Sequence, residues 1–351
     1  LISYGLFTGY VIGALDGIGV MVIKMRGTNE KKPYTKTYTG RYTYSTGNGT
    51  KSTADFGTGR TATFAYDNLQ RLTSETMAGL YTKSYTYRDI SSTRTTTQIA
   101  SESYTGLCSG WLNRTASYTY DAMGNIATIT GPYKNKKSVQ RTYTYDAQNQ
   151  LLSEKIGSDT TSYTYDTAGN IRSVTGPGVT KTFTYDDTGD WKDLLTSVTI
   201  NGETGQFTYE SDGTIGNPTH YFNGDDYELT WKNGRQLASL TRAGRRAWYS
   251  YGADGIRTSK ALMNGDNPPI MHYYTTQNGK IVREQWGSAQ MGFVYDATGR
   301  PLALYYRVKL PNSNEYSGDS YYYETNQQGD VTGLYKITYD AATKSLSATR
   351  V

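Results

Sequence analysis

The stretch SYTYDTAGNIRSVTG, residues 162–176, contains the pattern that decides the fold. Tyr163 and Tyr165 are separated by one threonine, and residues two apart in a β-strand lie on the same face. Asp166 follows the second ring, and Gly169 comes three residues later. Aspartate accepts hydrogen bonds from turn N–H groups and glycine tolerates positive φ, so a tight turn is predicted before Ile171 restarts a strand. The stretch therefore predicts a β-hairpin.

The same pattern recurs along most of the chain. From Tyr120 to Tyr295 the second aromatic residue returns in steps of 20 to 25 residues, and a second turn is predicted at TGPY from Thr130, TGPGV from Thr175 and NGETG from Asn201. Two strands of about six residues and two turns account for such a period. The residues predicted to build the repeat are Tyr120, Asp121, Gly124, Tyr145, Asp146, Tyr165, Asp166, Gly169, Tyr185, Asp186, Gly189, Tyr295, Asp296 and Gly299.

This repeat predicts an all-β fold. Consecutive antiparallel hairpins are expected to pair edge to edge into one continuous, spiralling sheet with almost no helix, because strand twist accumulates and open edges favour further pairing. The composition agrees, since 35 tyrosines and 38 glycines among 351 residues suit strands and turns.

Charge and candidate reactive residues predict neither nucleic-acid binding nor catalysis. A net charge of +5, from 36 basic and 31 acidic residues, forms no concentrated basic face. The pairs Asp186-Asp187 and Asp225-Asp226 are interpreted as turn and loop residues. His220 and His272 lack the spacing of a metal site or triad, and the single Cys108 is interpreted as a small buried side chain. No catalytic, cofactor-binding or metal-binding residue is predicted.

The repeat resembles a known family. YTYDAMGNIATITG (118–131), YTYDTAGNIRSVTG (163–176), YGADGIRTSK (251–260) and YDATGRPLALYY (295–306) are similar to the tyrosine-aspartate (YD) repeats of the Rhs family. That family includes bacterial wall-associated polymorphic toxins, the cocoons of insecticidal Tc toxins, and teneurins. The resemblance implies a hollow β-shell that encloses a C-terminal toxin domain, here as a partial shell.

LTWKNGRQLASL (229–240) and YYYETNQQGDVTGLY (321–335) resemble the stretch that leads into the Rhs-associated core of Gram-positive members. We therefore expect residues 31–351 to form the YD-repeat array, with 320–351 as the start of that core, and we expect the chain to be a segment of a longer shell. The family's core ends in an Asp-Pro-x-Gly self-cleavage motif. Because this chain contains no Asp-Pro dipeptide, neither an autoprotease nor a toxin is assigned to it.

Residues 1–30 are expected to form a separate apolar, glycine-rich segment. Within it, residues 1–23 carry Asp16 as the only charge and are long enough to span a bilayer. Five glycines and the central carboxylate weaken that interpretation. A buried strand pair or the end of an upstream domain remains the alternative.

Two functions follow from these observations. The first is a non-enzymatic shell segment of a secreted or cell-surface polymorphic toxin used in intercellular competition, with the C-terminal toxin as its partner. The alternative is a carbohydrate- or cell-wall-binding module, an adhesin, in which exposed rings stack on sugars. The face to which Tyr163 and Tyr165 point distinguishes the two functions.

Overall fold

The structure is a computed structural model of the 351-residue chain. It describes residues 18–27, 34–45, 49–55, 60–133, 136–186, 193–210, 216–296 and 299–351. Within these ranges the regular structure is entirely β-strand, which confirms the predicted all-β class.

Twenty-nine strands follow one another in chain order. They are β1 (Ile18–Gly27), β2 (Tyr34–Tyr44), β3 (Lys51–Asp55), β4 (Thr61–Tyr66), β5 (Leu72–Met77), β6 (Tyr81–Ser91), β7 (Arg94–Gly106), β8 (Arg114–Tyr120), β9 (Ile126–Tyr133), β10 (Lys136–Tyr145), β11 (Leu151–Ile156), β12 (Asp159–Tyr165), β13 (Ile171–Gly176), β14 (Val179–Tyr185) and β15 (Leu195–Ile200). The remainder are β16 (Glu203–Gln206), β17 (Thr208–Tyr209), β18 (Pro218–Phe222), β19 (Asp226–Lys232), β20 (Gln236–Arg242), β21 (Arg245–Tyr251), β22 (Arg257–Asn264), β23 (Ile270–Gln277), β24 (Lys280–Trp286), β25 (Ala289–Tyr295), β26 (Pro301–Lys309), β27 (Tyr316–Thr325), β28 (Val331–Asp340) and β29 (Ser345–Arg350).

The strands form two sheets in which each strand neighbours the next one in sequence. β1 to β16 form a 16-stranded sheet, and β17 to β29 form a 13-stranded sheet. The expected single continuous sheet is therefore interrupted, at Phe207 between β16 and β17. Next to the interruption, Pro218 opens β18 opposite Tyr209 and has no N–H to donate to a ladder. The hairpin order itself is as predicted.

In many repeats a β-bulge lies at the second aromatic residue of the strand that precedes the aspartate turn. In the hairpin of β12 and β13, Tyr163 pairs with Val174 and Thr164 with Ser173, and the register then shifts so that Tyr165 opposes Ile171. The same shift occurs at the second aromatic residue of the triplets ending at Tyr66, Tyr145, Tyr185, Tyr209, Trp231 and Tyr251. Because a bulge places two residues opposite one, it increases the local strand twist at the same point of successive repeats.

The strands divide into two compact units. Unit 1 contains residues 1–117, 292–307 and 317–351, and unit 2 contains residues 118–291 and 308–316. Unit 1 has an extensive core in which early and late strands pack together: Ala54, Ala62, Met77, Leu80, Tyr81, Tyr104, Trp111, Leu302, Ala303, Tyr322, Tyr335 and Ala348. In unit 2 the ring-bearing side chains of β10, β12 and β14 are only half-buried.

The turn predicted at TGPY from Thr130 is wrong, because residues 130–133 complete strand β9. Pro132 is accommodated there because the ladder between β9 and β10 is irregular over these residues, with Lys136 opposite Tyr133 and Val139 opposite Gly131.

Of the apolar segment 1–23, residues 1–17 lie outside the described residues, and the remainder begins strand β1, which pairs with β2. In the described ranges no helix is long and apolar enough to cross a membrane.

Candidate functional site: the ring face and turns of the repeat

In several repeats an aspartate follows the aromatic pair and stabilises the turn. One carboxylate oxygen of Asp166 accepts hydrogen bonds from the N–H groups of Ala168 and Asn170, both at 2.9 Å. Its other oxygen accepts from the Asn170 side-chain amide at 3.1 Å. Partial desolvation opposes ionisation, but these hydrogen bonds, together with the charge of Arg172, hold the pKa of Asp166 below its usual value. The residue therefore acts as an anionic turn cap.

Other repeats contain the same arrangement. Asp67, Asp121 and Asp146 each accept from the N–H groups two and four residues later, at 2.8–2.9 Å. Asp296 accepts from the Arg300 N–H at 2.9 Å, and the Asp186 N–H donates to the Leu194 carbonyl at 2.9 Å. The turn residues with positive φ include Gly124, Asn149, Gly169, Gly255 and Gly299. Gly189 lies outside the described residues.

The second ring of each pair connects one hairpin to the previous one. The Tyr165 hydroxyl donates to the Leu151 carbonyl at 2.8 Å, and the Tyr185 hydroxyl donates to the Ile171 carbonyl at 3.0 Å. The acceptor is the first residue of the strand that follows the preceding turn. Equivalent bonds join Tyr87 to Leu72, Tyr145 to Ile126, Tyr209 to Leu195, Trp231 to Pro218 and Tyr251 to Leu237. The tyrosine therefore contributes both buried ring area and a link between repeats.

The opposite face of the sheet carries small hydroxyl side chains. Thr164 and Ser173 lie opposite each other, and their hydroxyls are 2.7 Å apart. Two further hydroxyl pairs have the same arrangement: the hydroxyls of Thr144 and Ser153 are 2.6 Å apart, and those of Thr230 and Ser239 are 2.7 Å apart. Thr164 is exposed, whereas Tyr163 and Tyr165 on the ring face are half-buried. The rings therefore lie on the more packed face of the array.

In unit 1 a cluster of buried charges lies where early and late strands meet. Glu324 is fully buried and lies 2.7 Å from the Arg114 guanidinium, while the Tyr335 hydroxyl donates to it at 3.2 Å. Lys83, 4% exposed, donates to the Thr325 carbonyl at 3.0 Å and lies 3.5 Å from Glu102. Because these charges are paired, their burial is tolerable, and removing one partner would leave the other uncompensated.

Burial also changes the titration of groups around this cluster. Desolvation raises the pKa of Glu75, although the neighbouring Lys83 opposes the shift. Burial raises the pKa of Tyr104 well above its usual range, and the Tyr104 hydroxyl accepts from the Thr325 N–H at 3.1 Å. The carboxylates and tyrosines here stabilise contacts between strands distant in sequence.

Part of the array resembles a known family. A family model for the teneurin YD-shell matches residues 112–191. This match supports an Rhs/YD-repeat relationship for that part of the chain. No curated protein matches it in sequence. The match supports a structural, shell-type domain.

Solved structures that were matched to the chain include Tc toxin complexes. A TcdB2-TccC3-TEV crystal structure is 14% identical over 92% of this chain and 18% of that chain, with a TM-score of 0.48. The Photorhabdus luminescens Tc holotoxin pore is 13% identical over 89% of this chain and 19% of that chain, with a TM-score of 0.38. The YD-repeat chain thus spans about a fifth of the length of these chains.

The remaining candidate residues have local contacts. His272 lies 2.7 Å from Glu284, which also pairs with Lys260 at 3.0 Å. His220 contacts the Gln206 carbonyl at 2.8 Å. Cys108 is partly buried against the core of unit 1, and burial raises the pKa of its thiol. Within the described ranges, no three His, Cys, Asp or Glu side chains are grouped to hold a metal ion.

Proposed function

We propose that this YD-repeat array is a wall segment of a hollow β-shell whose ring face contacts a polypeptide enclosed in the full-length protein, the C-terminal toxin domain. The array itself would be non-catalytic, and the full-length protein would be secreted or displayed on a bacterial surface. The segment from residue 320 onward would begin the Rhs-associated core.

The observation that carries this proposal is a ring face that stays half-buried outside the core of unit 1. In unit 1, Met77 and Tyr81 on the ring face are 0% and 3% exposed, because late strands cover them. In unit 2 the ring-pair side chains Tyr163, Tyr165 and Phe183 are half-buried, and so are the ring pairs Phe64/Tyr66 and Tyr85/Tyr87 of unit 1. Aromatic surface with polar tips can contact another chain without becoming part of its core.

The adhesin alternative receives less support from this geometry. A ring that stacks on a sugar needs an open face, whereas Tyr165 and its equivalents are half-buried and their hydroxyls bond to the preceding hairpin. The exposed face at these repeats carries threonine and serine.

Photo-crosslinking from adjacent positions of β12 tests the proposal. p-Benzoylphenylalanine replaces Tyr163 on the ring face or Thr164 on the opposite face, in the full-length gene product. Cross-links to the downstream domain are expected from position 163 and not from position 164. Equal cross-linking from both positions, or none from position 163, would contradict enclosure. Cross-linking of cell-wall glycan from position 163 would instead favour the adhesin.

A further inference from the structure

Cations lie over many tyrosine rings on the ring face of unit 2. The Arg172 guanidinium lies 5.1 Å from the Tyr185 ring centre, and the Lys260 ammonium lies 5.7 Å from that of Tyr274. These two cations also have carboxylate partners: Arg172 lies 3.3 Å from Asp166, and Lys260 lies 3.0 Å from Glu284. Their charge is locally balanced.

Arg141 and Arg257 differ because they have ring contacts without a carboxylate. Arg257 lies 4.2 Å from the Tyr249 ring centre and 5.9 Å from that of Tyr251, and Arg141 lies 5.4 Å from that of Tyr133. In the part of the chain that the structure describes, neither guanidinium forms an ion pair, and both Nε atoms are buried without a hydrogen-bond partner.

The strand register places both arginines on the ring face. Arg257 opposes Tyr251, at the position where other repeats have an apolar residue such as Leu72 or Ile171. Arg141 is two residues before Tyr143 on the same strand. Lys181 occupies the corresponding position before Phe183, and in the described ranges it too has no ion pair.

We propose that these cations receive carboxylate side chains of the enclosed polypeptide, so that the ring face of unit 2 selects extended segments rich in Asp and Glu. This inference rests on the proposed function. A guanidinium stacked on a ring keeps its edge N–H groups available for a carboxylate. By register Glu154 lies on this face opposite Tyr143. Burial raises the pKa of Tyr143 to about 12, with Arg141 opposing the shift and Glu154 adding to it.

An acidic polypeptide fits these observations better than a nucleic acid does. The cations are separated along the array by half-buried rings and do not form the continuous basic groove that tracks a phosphate backbone. Carboxylates spaced along an extended chain can meet such isolated sites one at a time.

Peptide binding to the complete 351-residue chain tests the inference. The probes are two fluorescent 20-residue Gly-Ser peptides, one with four glutamates and one with four lysines, and a 20-nucleotide single-stranded DNA. The ring-face variant is Arg141→Gln/Arg257→Gln. The matched control is Arg246→Gln/Arg283→Gln, because both control arginines are exposed and lie on the opposite face by register. Circular dichroism checks that both variants fold.

We expect the glutamate peptide to bind more tightly than the lysine peptide, and the ring-face variant to lose about tenfold in affinity while the control keeps it. Equal affinity for both peptides, no binding of either, equal loss in both variants, or tighter binding of the DNA would each overturn the inference. The crosslink from position 163 reports enclosure independently of charge. If it persists while the peptide preference is absent, only the charge inference fails.

Discussion

At the scale of the residue, tyrosine makes two separable contributions to each repeat. Its ring packs on the ring face, and in the second position of the pair its hydroxyl donates to the preceding hairpin. Tyr165 has this bond, to the Leu151 carbonyl at 2.8 Å. In the described residues the hydroxyl of Tyr163, on the same strand and face, has no hydrogen bond. Comparing Tyr165 with Tyr163 therefore separates the contribution of the hydroxyl hydrogen bond to stability from that of ring packing.

Tyr165→Phe is expected to lower the free energy of unfolding by about 1 kcal/mol, because the Leu151 carbonyl loses its donor. Tyr163→Phe is the matched control and should change it by less than about 0.5 kcal/mol. Urea unfolding followed by circular dichroism measures both. Equal effects would show that the link between hairpins does not stabilise the array.

The turn aspartates predict how stability depends on acidity. The folded-state pKa of Asp166 lies below its unfolded value, so its contribution is present above the unfolded pKa, near 3.9, and is lost as pH falls through the folded pKa. Asp166→Ala should therefore be less stable than the parent chain at pH 7, and the gap in urea midpoint should narrow below about pH 4. A difference in urea midpoint that stays the same at both pH values would contradict the role of the ionised Asp166 as a turn cap.

The control for that experiment is Asp266→Ala. Asp266 is an exposed aspartate in a turn, and in the described residues its side chain makes no hydrogen bond or ion pair. Its replacement should leave the urea midpoint nearly unchanged at both pH values.

The turn features are local in the sequence. Asp166, Gly169 and Ile171 lie within six residues, so spacing alone indicates the turn and the new strand. The acceptor of the Tyr165 hydroxyl lies 14 residues away. It was not predicted, because its position depends on the bulge and the pairing register, although the constant separation from Leu151 to Tyr165 and from Ile171 to Tyr185 was visible.

At the scale of the element, a close approach within unit 2 lies beside the interruption between the two sheets. Gly205 of β16 packs against Phe222 of β18, and a Cβ at position 205 would collide with the Phe222 ring. The sequence shows a glycine in a strand, which indicates a bulge or a close contact. It does not show which side chain makes the contact, so a continuous sheet was expected.

Gly205→Ala is expected to cost about 1–3 kcal/mol in the free energy of unfolding, because the Phe222 ring must move. Phe222→Ala alone is also destabilising, since it leaves a cavity. The double variant should be more stable than the sum of the two single effects, because the new methyl group occupies part of that cavity. Additive costs in a double-mutant cycle of urea unfolding would mean that the two residues do not compete for space.

At the scale of the whole molecule, unit 1 brings together strands that are far apart in sequence. Lys83 bonds to Thr325, 242 residues away, and Ala348 donates to the Ser109 carbonyl at 2.8 Å. Hairpin periodicity carries no information about such contacts, because each hairpin pairs only with its neighbours. The sequence therefore predicted no role for the charged residues of the buried cluster, which are Lys83, Glu102, Arg114 and Glu324. The structure alone shows this cluster.

Removing one charge of that cluster should loosen unit 1 selectively. Arg114→Met leaves Arg350, at 3.8 Å, as the remaining ion-pair partner of the buried Glu324 among the described residues, and is expected to cost about 3 kcal/mol. Arg114→Met/Glu324→Gln should recover much of this loss, whereas Arg350→Ala, at a partly exposed site, should cost less than about 1 kcal/mol.

Hydrogen exchange should show faster exchange in β28 and β29 of Arg114→Met, with β12 to β14 of unit 2 unchanged, because repeat arrays are stabilised by neighbouring contacts. Unchanged protection of β28, or no recovery in the double variant, would mean that the buried pair does not hold these strands in place.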